Sequence, residues 1–272
     1  MLAPSSRFHF GTVLSLIDLV EHSERGTGAL ICEAGGSQLA TVLLEEGRIC
    51  WAVAAGMQRR LTDLLLESSE ADLDRRQLEQ IYLECKGKNV PLGEELVRRG
   101  VVPPGGLHDA LAEHTSEALV RVGEHSEVSY DWLEHRAPGY SPRFTFETLD
   151  IAIRVGRKVF PEAARRGTEI LEGVSLPGIA FLAKGGSQHA FPVASSQPET
   201  LPTESELSVR GPSFVELRDR IARLGGEPPD LAYWRANDGS QFAIAVHGDL
   251  TVAHFLTRPT DLGLLVKARM KT

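Results

Sequence analysis

Residues 28–52 read GALICEAGGSQLATVLLEEGRICWA, in which apolar runs alternate with short polar segments that contain glycine. The apolar runs have the length of β-strands and end at turn-forming residues, so they predict three strands at 29–33, 38–44 and 49–54. The connecting segments, Ala34-Gly35-Gly36-Ser37 and Glu45-Glu46-Gly47-Arg48, have the length and glycine content of hairpin loops. This part of the chain is therefore predicted to be an antiparallel meander.

Helices are predicted on both sides of the meander. Before it, a helix over 12–23 is indicated by apolar residues at the i, i+3, i+4, i+7 spacing, namely Val13, Leu16, Ile17 and Val20. After it, apolar residues at helical spacing continue from residue 59 to residue 123, and a strand at 128–133 and a helix at 146–158 follow. We place a domain boundary at Pro161, so the first predicted domain is 1–160.

The second half of the chain, residues 161–272, has a different order of elements. A helix at 162–172 is followed by two strands, a polar stretch at 195–212, a second helix, three strands and a closing helix at 260–270. The five strands are predicted at 178–183, 189–194, 231–236, 241–246 and 250–256. The predicted order is αββαβββα, and the fold class of the whole chain is α+β.

Length, composition and charge exclude several classes of protein. The chain has 272 residues, about two domains' worth. Its formal charge is −8, which disfavours binding to nucleic acid through a basic surface. Three cysteines are too few for a disulfide scaffold and fit a reducing compartment. The amino terminus, MLAPSSRFHFGTV, has no long apolar run, and we expect a cytoplasmic protein without membrane insertion.

Catalytic and metal-binding motifs are not recognisable in the sequence. Lys86-Gly87-Lys88-Asn89 lacks the glycine spacing of a phosphate-binding loop, and no Gly-x-Ser-x-Gly segment occurs. His247, Asp249 and His254 lie close together, but a zinc site requires three or four converging ligands. We read these three residues as a surface turn followed by a strand histidine. We expect no enzymatic activity, no cofactor and no bound metal.

The end of the chain, TVAHFLTRPTDLGLLVKARM at 251–270, has a strand, a short turn and a helix that opens Asp261-Leu262-Gly263-Leu264. With the order of elements from residue 161, it resembles the Roadblock (dynein light-chain) family. The resemblance implies a five-stranded sheet with helices on either side, a homodimer, and regulation or scaffolding of a small Ras-like GTPase. It implies no catalytic residues within this chain.

The dimer interface that this resemblance implies uses one helix and one strand. The helix carries an apolar stripe formed by Phe214, Leu217, Ile221 and Leu224. The strand carries Trp234, an aromatic residue of the kind enriched at interfaces, and is expected at the pairing edge of the sheet. Packing of the stripe against its own sheet is the alternative interpretation.

The first 160 residues resemble the PATAN family of bacterial response-regulator-type proteins. The resemblance is carried by an opening helix that ends in glycine, by GALICEAGGSQLATVLLEEGRICWA, and by its Glu-Gly-Arg-Ile step at 46–49. It implies a role in interaction and signalling, with a response-regulator pathway protein as a further possible partner.

Residues 91–114, PLGEELVRRGVVPPGGLHDALAEH, form a repeat with a degenerate copy that starts at Arg60. This unit resembles the amino-terminal domains of bacterial secretion and pilus-extension ATPases, whose tandem units bind cyclic di-GMP through backbone groups and stacked apolar side chains. The resemblance implies a cyclic dinucleotide sensor as an alternative function, with the ligand-binding residues Arg60, Leu92, Gly93, Leu96, Gly100 and His114. Arg98 and Arg99 then either pair with Glu94 and Glu95 on a solvated face or supply a phosphate contact.

Overall fold

The computed structural model describes residues 8–21, 26–67, 73–88, 90–134, 144–174, 176–183, 190–196, 231–235, 241–256, 261 and 265–266. The helices are α1 (Phe10–Glu21), α2 (Leu61–Glu67), α3 (Arg75–Lys88), α4 (Leu92–Arg98), α5 (Pro104–Gly123), α6 (Thr148–Val159) and α7 (Pro161–Val174). The strands are β1 (Gly28–Ala34), β2 (Ser37–Glu45), β3 (Arg48–Ala54), β4 (Ser129–Glu134), β5 (Gly178–Ala183), β6 (Ala190–Ser196), β7 (Leu231–Arg235), β8 (Gln241–His247) and β9 (Leu250–Leu256). The protein is a mixed α+β protein, as its sequence predicts.

The predicted meander is confirmed. Strands β1, β2 and β3 pair antiparallel in sequence order, and the two hairpins turn at glycines with positive φ, Gly36 at 76° and Gly47 at 78°. The sheet has a fourth strand, since β4 pairs antiparallel with the other side of β1. The sheet order is therefore β3-β2-β1-β4.

Helices α2 to α5 form the predicted helical region and share a leucine-rich core. Its buried members are Leu64, Leu65, Leu78, Ile81, Cys85, Leu96, Val102, Leu107 and Ala110, together with Phe144. The longest helix, α5, also packs on β3. This helix therefore connects the helical core with the sheet.

The second sheet has five antiparallel strands in the order β6-β5-β9-β8-β7. Helix α7 packs on β5 and β6, where a Cβ added at Gly167 would lie 2.8 Å from the Cβ of Ala180. A cluster of aromatic rings, Phe8, Phe10, Phe160 and Phe191, packs edge to face or stacked with centroid separations of 5.0–5.9 Å. A small residue thus lets α7 lie close to this sheet, and aromatic rings pack against Phe191 of β6.

The described residues divide into two compact units. Residues 19–151 form one, and residues 8–18 group with those from 152 onward in the other. The predicted domain assignment, 1–160 and 161–272, remains a prediction.

The dimer residues Phe214, Leu217, Ile221 and Leu224 lie outside the described part of the chain, as do Gly263 and residues 197–212 of the polar stretch. The prediction of a loop from residue 195 is wrong at its start, because Ser195 and Ser196 pair with β5 as the end of β6. Of Trp234 only the backbone is described. It lies in β7, which pairs with β8 at the end of the five-stranded order. The strand is therefore where the sequence places it, at an edge of the described sheet.

We expect Gly156→Ala to destabilise the protein. A Cβ at this position of α6 would collide with the carbonyl oxygen of Pro192 in β6, a backbone atom that cannot rotate away. Overpacking of this kind costs about 1–3 kcal/mol of unfolding free energy, which urea denaturation measures.

Gly173→Ala in α7 is the matched control, because no described atom lies within 4 Å of a Cβ built there. It should leave the free energy of unfolding unchanged or raise it by up to about 1 kcal/mol, since alanine has the higher helix propensity. Equal effects of the two substitutions would contradict the close contact at Gly156.

Candidate functional site

A cavity of about 630 Å³ lies within residues 19–151, between β3, the loop that follows it, and the helices. Its lining is mainly apolar and includes three arginines and one glutamate. The lining residues are Trp51, Val53, Ala54, Gly56, Met57, Arg59, Arg60, Leu61, Thr62, Leu66, Arg75, Leu78, Glu79, Tyr82, Leu92 and His114. This volume is within the range of small-molecule sites in proteins.

One wall of the cavity depends on how α5 meets the outer edge of β3. The N–H of Ala52 donates to the hydroxyl of Thr115 at 3.2 Å, and the carbonyl oxygen of Ala52 lies 3.0 Å from Nδ1 of His114. Both side chains are buried. Two consecutive residues of α5 thus satisfy both polar groups of one edge residue, which would otherwise be costly to bury.

The ring of His114 also contacts Trp51. The two ring planes are 22° apart with centroids 5.7 Å apart, and Nε1 of Trp51 lies 3.1 Å from the same Nδ1 atom. A single ring nitrogen carries either a proton or a lone pair, so it serves one of these two neighbours. We assign the proton to Nδ1, donated to the Ala52 carbonyl, because that backbone oxygen is buried.

Burial keeps His114 neutral. Removal from water lowers the pKa of this histidine below its ordinary value, and the hydrogen bond with Ala52 opposes the shift in part. The ring is therefore an uncharged hydrogen-bond donor near pH 7, and it adds no positive charge to the cavity.

The arginines of the cavity differ in their partners. Arg59 forms ion pairs with Glu67 and, at 3.2 Å, with Glu117. Arg75 is well exposed and meets Asp63 at 3.5 Å. Arg60 is exposed, and its guanidinium forms no ion pair with any described residue. The guanidinium of Arg59 is thus already paired, whereas that of Arg60 is available to bind an anion.

The structure brings together half of the predicted ligand-binding residues. Arg60, Leu92 and His114 line the cavity. Leu96 is fully buried in the helical core, and a Cβ at Gly93 would lie 2.9 Å from the side chain of Leu107. Gly100 has a φ of 71° in the turn after α4, a conformation that favours glycine for backbone reasons alone.

Sequence reasoning missed the aromatic side of the cavity, Trp51 and Tyr82. The available signal was the alternation of β3, where Trp51 and Val53 occupy the less buried face of a strand whose other residues are mostly buried. Tyr82 is about half exposed on α3, one turn after the buried Leu78 and at the margin of the buried face of that helix. Apolar side chains on the less buried side of a strand or helix do not by themselves predict a binding site.

Arg98 and Arg99 do not line the cavity. Arg98 donates to both carboxylate oxygens of Glu95 at 2.7 and 2.6 Å, and Arg99 bridges Glu95 and Glu84. Hydrogen bonds from the two arginines lower the pKa of Glu95 to about 2. The predicted pair of Arg99 with Glu95 is present, whereas Arg98 binds Glu95, three residues before it, through two of its nitrogens.

A second candidate surface is the outer edge of β7. Tyr233 is the middle residue of this strand and is 46% exposed, with its hydroxyl donating to Gln241 at 2.8 Å. On the described residues, β7 has one neighbouring strand, β8. An end strand of this kind can pair with a strand of another chain.

Asp249 and His254, two of the three residues weighed as metal ligands, have different surroundings in the structure. Asp249 forms an ion pair with Arg166 of α7 at 2.9 Å. His254 is 1% exposed in the middle of the sheet, and its Nδ1 has no hydrogen-bond partner. Within the described ranges, no group of three or more His, Cys, Asp or Glu residues is arranged to hold a metal ion.

Comparisons with protein families, with curated proteins and with solved structures find no match to this chain. In the part of the chain that is described, no helix combines the length and the apolar character needed to cross a bilayer.

His254 should make stability depend on pH. Burial, followed by the nearby charge of His247, lowers its pKa from 6.5 to about 4 in the folded protein. Between these values the unfolded chain binds the proton and the folded chain does not, so stability falls as the pH falls. From pH 7 to pH 4.5 this histidine removes about 2–3 kcal/mol of unfolding free energy.

Urea denaturation of the wild type and of His254→Leu at the two pH values measures this contribution. The leucine variant should lose about 2–3 kcal/mol less than the wild type over the interval, whereas His125→Leu, at an exposed histidine, should behave as the wild type. The same loss in His254→Leu as in the wild type would show that this residue is not the cause.

Proposed function

We propose that this protein is a non-enzymatic signalling or polarity adaptor that forms a homodimer through its carboxy-terminal sheet and regulates or scaffolds a small Ras-like GTPase or a signalling complex. The observation that carries the proposal is the position of β7 at an edge of the five-stranded antiparallel sheet. The number of strands and the αββ…βββ order of the described elements agree with the expectation from the Roadblock resemblance.

Self-pairing of β7 is the simplest use of this edge. A second copy placed antiparallel to the first would extend the sheet, and two-fold symmetry would bring the same residues of both copies together. Because Tyr233 is the middle residue of Leu231–Arg235, its side chain would then lie beside its own symmetry mate. We place Trp234 and the stripe formed by Phe214, Leu217, Ile221 and Leu224 in the same proposed interface.

We expect Tyr233→Lys to weaken the dimer. Two lysines directly opposite each other across an antiparallel pair repel, so the dissociation constant should rise by about tenfold or more. Light scattering after size-exclusion chromatography at micromolar concentration measures it: the wild type should show twice the chain mass of 29.7 kDa, and the variant a mass that falls on dilution.

Tyr233→Phe is the control, since it keeps the ring and loses the hydrogen bond with Gln241 alone. It should remain dimeric. A wild type that is monomeric throughout this concentration range would overturn the proposed dimer.

The proposed GTPase partner is tested by capture. The full-length protein, immobilised, should retain a Ras-like GTPase from the cell's own set in one nucleotide state more than in the other, because switch segments of such proteins differ between the two states. Tyr233→Lys serves as the comparison for a requirement for the dimer. Retention of no such GTPase in either state would remove this part of the proposal and leave the dimer.

The second candidate function is a small-ligand sensor, with a cyclic dinucleotide as its ligand. It is favoured by one specific observation: Arg60, Leu92 and His114, which are far apart in the sequence, line a single cavity. Titration calorimetry with cyclic di-GMP tests this candidate directly.

A further inference from the structure

The side chains of the cavity indicate the chemistry of a ligand more closely than the repeat does. The repeat implies a ligand held by backbone groups at glycines. However, Gly93 packs against Leu107, and Gly100 lies in a turn outside the cavity lining. What the cavity offers instead is an aromatic wall, an apolar floor and arginine side chains.

The aromatic wall is held in position from behind. His114 and Thr115 bond to Ala52, the residue next to Trp51, and the imidazole lies almost parallel to the indole. The indole N–H is directed at Nδ1 of His114, at an N–N distance of 3.1 Å. Tyr82 lines the same cavity from α3 and is 48% exposed. Two aromatic side chains are therefore presented to a ligand, one of them on a rigid strand edge.

Positively charged side chains outnumber negatively charged ones in the cavity lining, although the chain as a whole is negatively charged. The protein carries a formal charge of −8, yet the lining contains Arg59, Arg60 and Arg75 against a single glutamate, Glu79. Glu67 and Glu117 hold Arg59, whereas Arg60 forms no ion pair within the described ranges and Arg75 reaches Asp63 at 3.5 Å. Guanidinium groups bind phosphate and carboxylate groups in a forked geometry.

We infer that this cavity binds a small molecule in which a planar aromatic ring is joined to a phosphate or carboxylate group. The ring lies against Trp51 and Tyr82, and the acidic group binds Arg60 and Arg75. The inference rests on the proposed sensor function and specifies its ligand class and the side chains that recognise it. The cavity volume of about 630 Å³ accommodates a molecule of this kind.

Titration calorimetry of the full chain tests the inference with four probes: guanosine monophosphate, indole-3-acetate, inorganic phosphate and cyclic di-GMP. At least one of the two smaller acids, guanosine monophosphate or indole-3-acetate, should bind, and their comparison distinguishes phosphate from carboxylate. Inorganic phosphate should bind about tenfold more weakly or not at all, because it lacks the stacking ring.

Variants of the lining establish the position of the ligand. Trp51→Leu and Arg60→Ala should each weaken binding of the aromatic acid by about tenfold or more. The matched controls are Trp132→Leu in β4 and Arg76→Ala on α3, which are outside the lining and should bind as the wild type. Arg60 is exposed, so its replacement leaves the fold intact even if Trp51→Leu does not.

The outcomes separate this inference from the function on which it rests. If cyclic di-GMP binds Trp51→Leu and Arg60→Ala as tightly as the wild type, or if an acid binds equally well to these variants, the inference is overturned and the sensor function remains. If none of the four probes binds at concentrations up to about 1 mM, the range of weak affinities, both are overturned. The adaptor proposal is decided separately, by light scattering.

Discussion

The contact of α5 with the outer edge of β3 is the constraint on which the amino-terminal unit depends. An edge strand presents unpaired backbone groups that invite pairing with another chain. Here Thr115 and His114 satisfy the N–H and carbonyl of Ala52, and Phe146 forms a two-way backbone bridge with Ile49 on the same edge. The edge is thereby closed to other strands, and Trp51 is fixed at the side of a cavity.

The same contact explains why the charged groups of the cavity lie at its rim. The side chains that close the strand edge are buried and neutral, so the charges of the site come from arginines at its rim. Of these arginines, Arg59 already has two carboxylate partners, Glu67 and Glu117. An arginine held by two carboxylates contributes to the shape of a site, whereas an arginine without one remains available for an anion.

The carboxy-terminal sheet differs in its burial and packing. Strand β9 is buried at most of its positions, and its sequence is accordingly a nearly continuous apolar run. His254 occupies a core position in this strand, and its Nδ1 has no hydrogen-bond partner. Small residues at Gly156, Gly167 and Ala180 allow helices to approach the strands closely. The edge strand β7, by contrast, carries a half-exposed tyrosine. Of the two strands at the ends of the described order, β6 is mostly buried.

Local sequence signals were sufficient to predict the helices and strands, but they did not predict which distant strands pair. The meander and its glycine turns follow from spacing along the chain, as do the helices between residues 61 and 123. The pairing of β4 with β1 does not, because β4 follows β1 by about a hundred residues and its own pattern is compatible with several neighbours. Arg60, Leu92 and His114 were identified through a repeat, yet Trp51 was not, since its contribution depends on α5.

Side-chain period and turn chemistry are properties of neighbouring residues, and so the amino-acid sequence alone specified an α+β chain, its strands and its hairpins. The contacts that close the edge of β3 and form the cavity join residues about sixty positions apart. The ion pair that holds Arg59 at Glu117 spans a similar distance along the chain. Those features were settled in the folded state, because burial makes each backbone polar group find a partner wherever the chain supplies one.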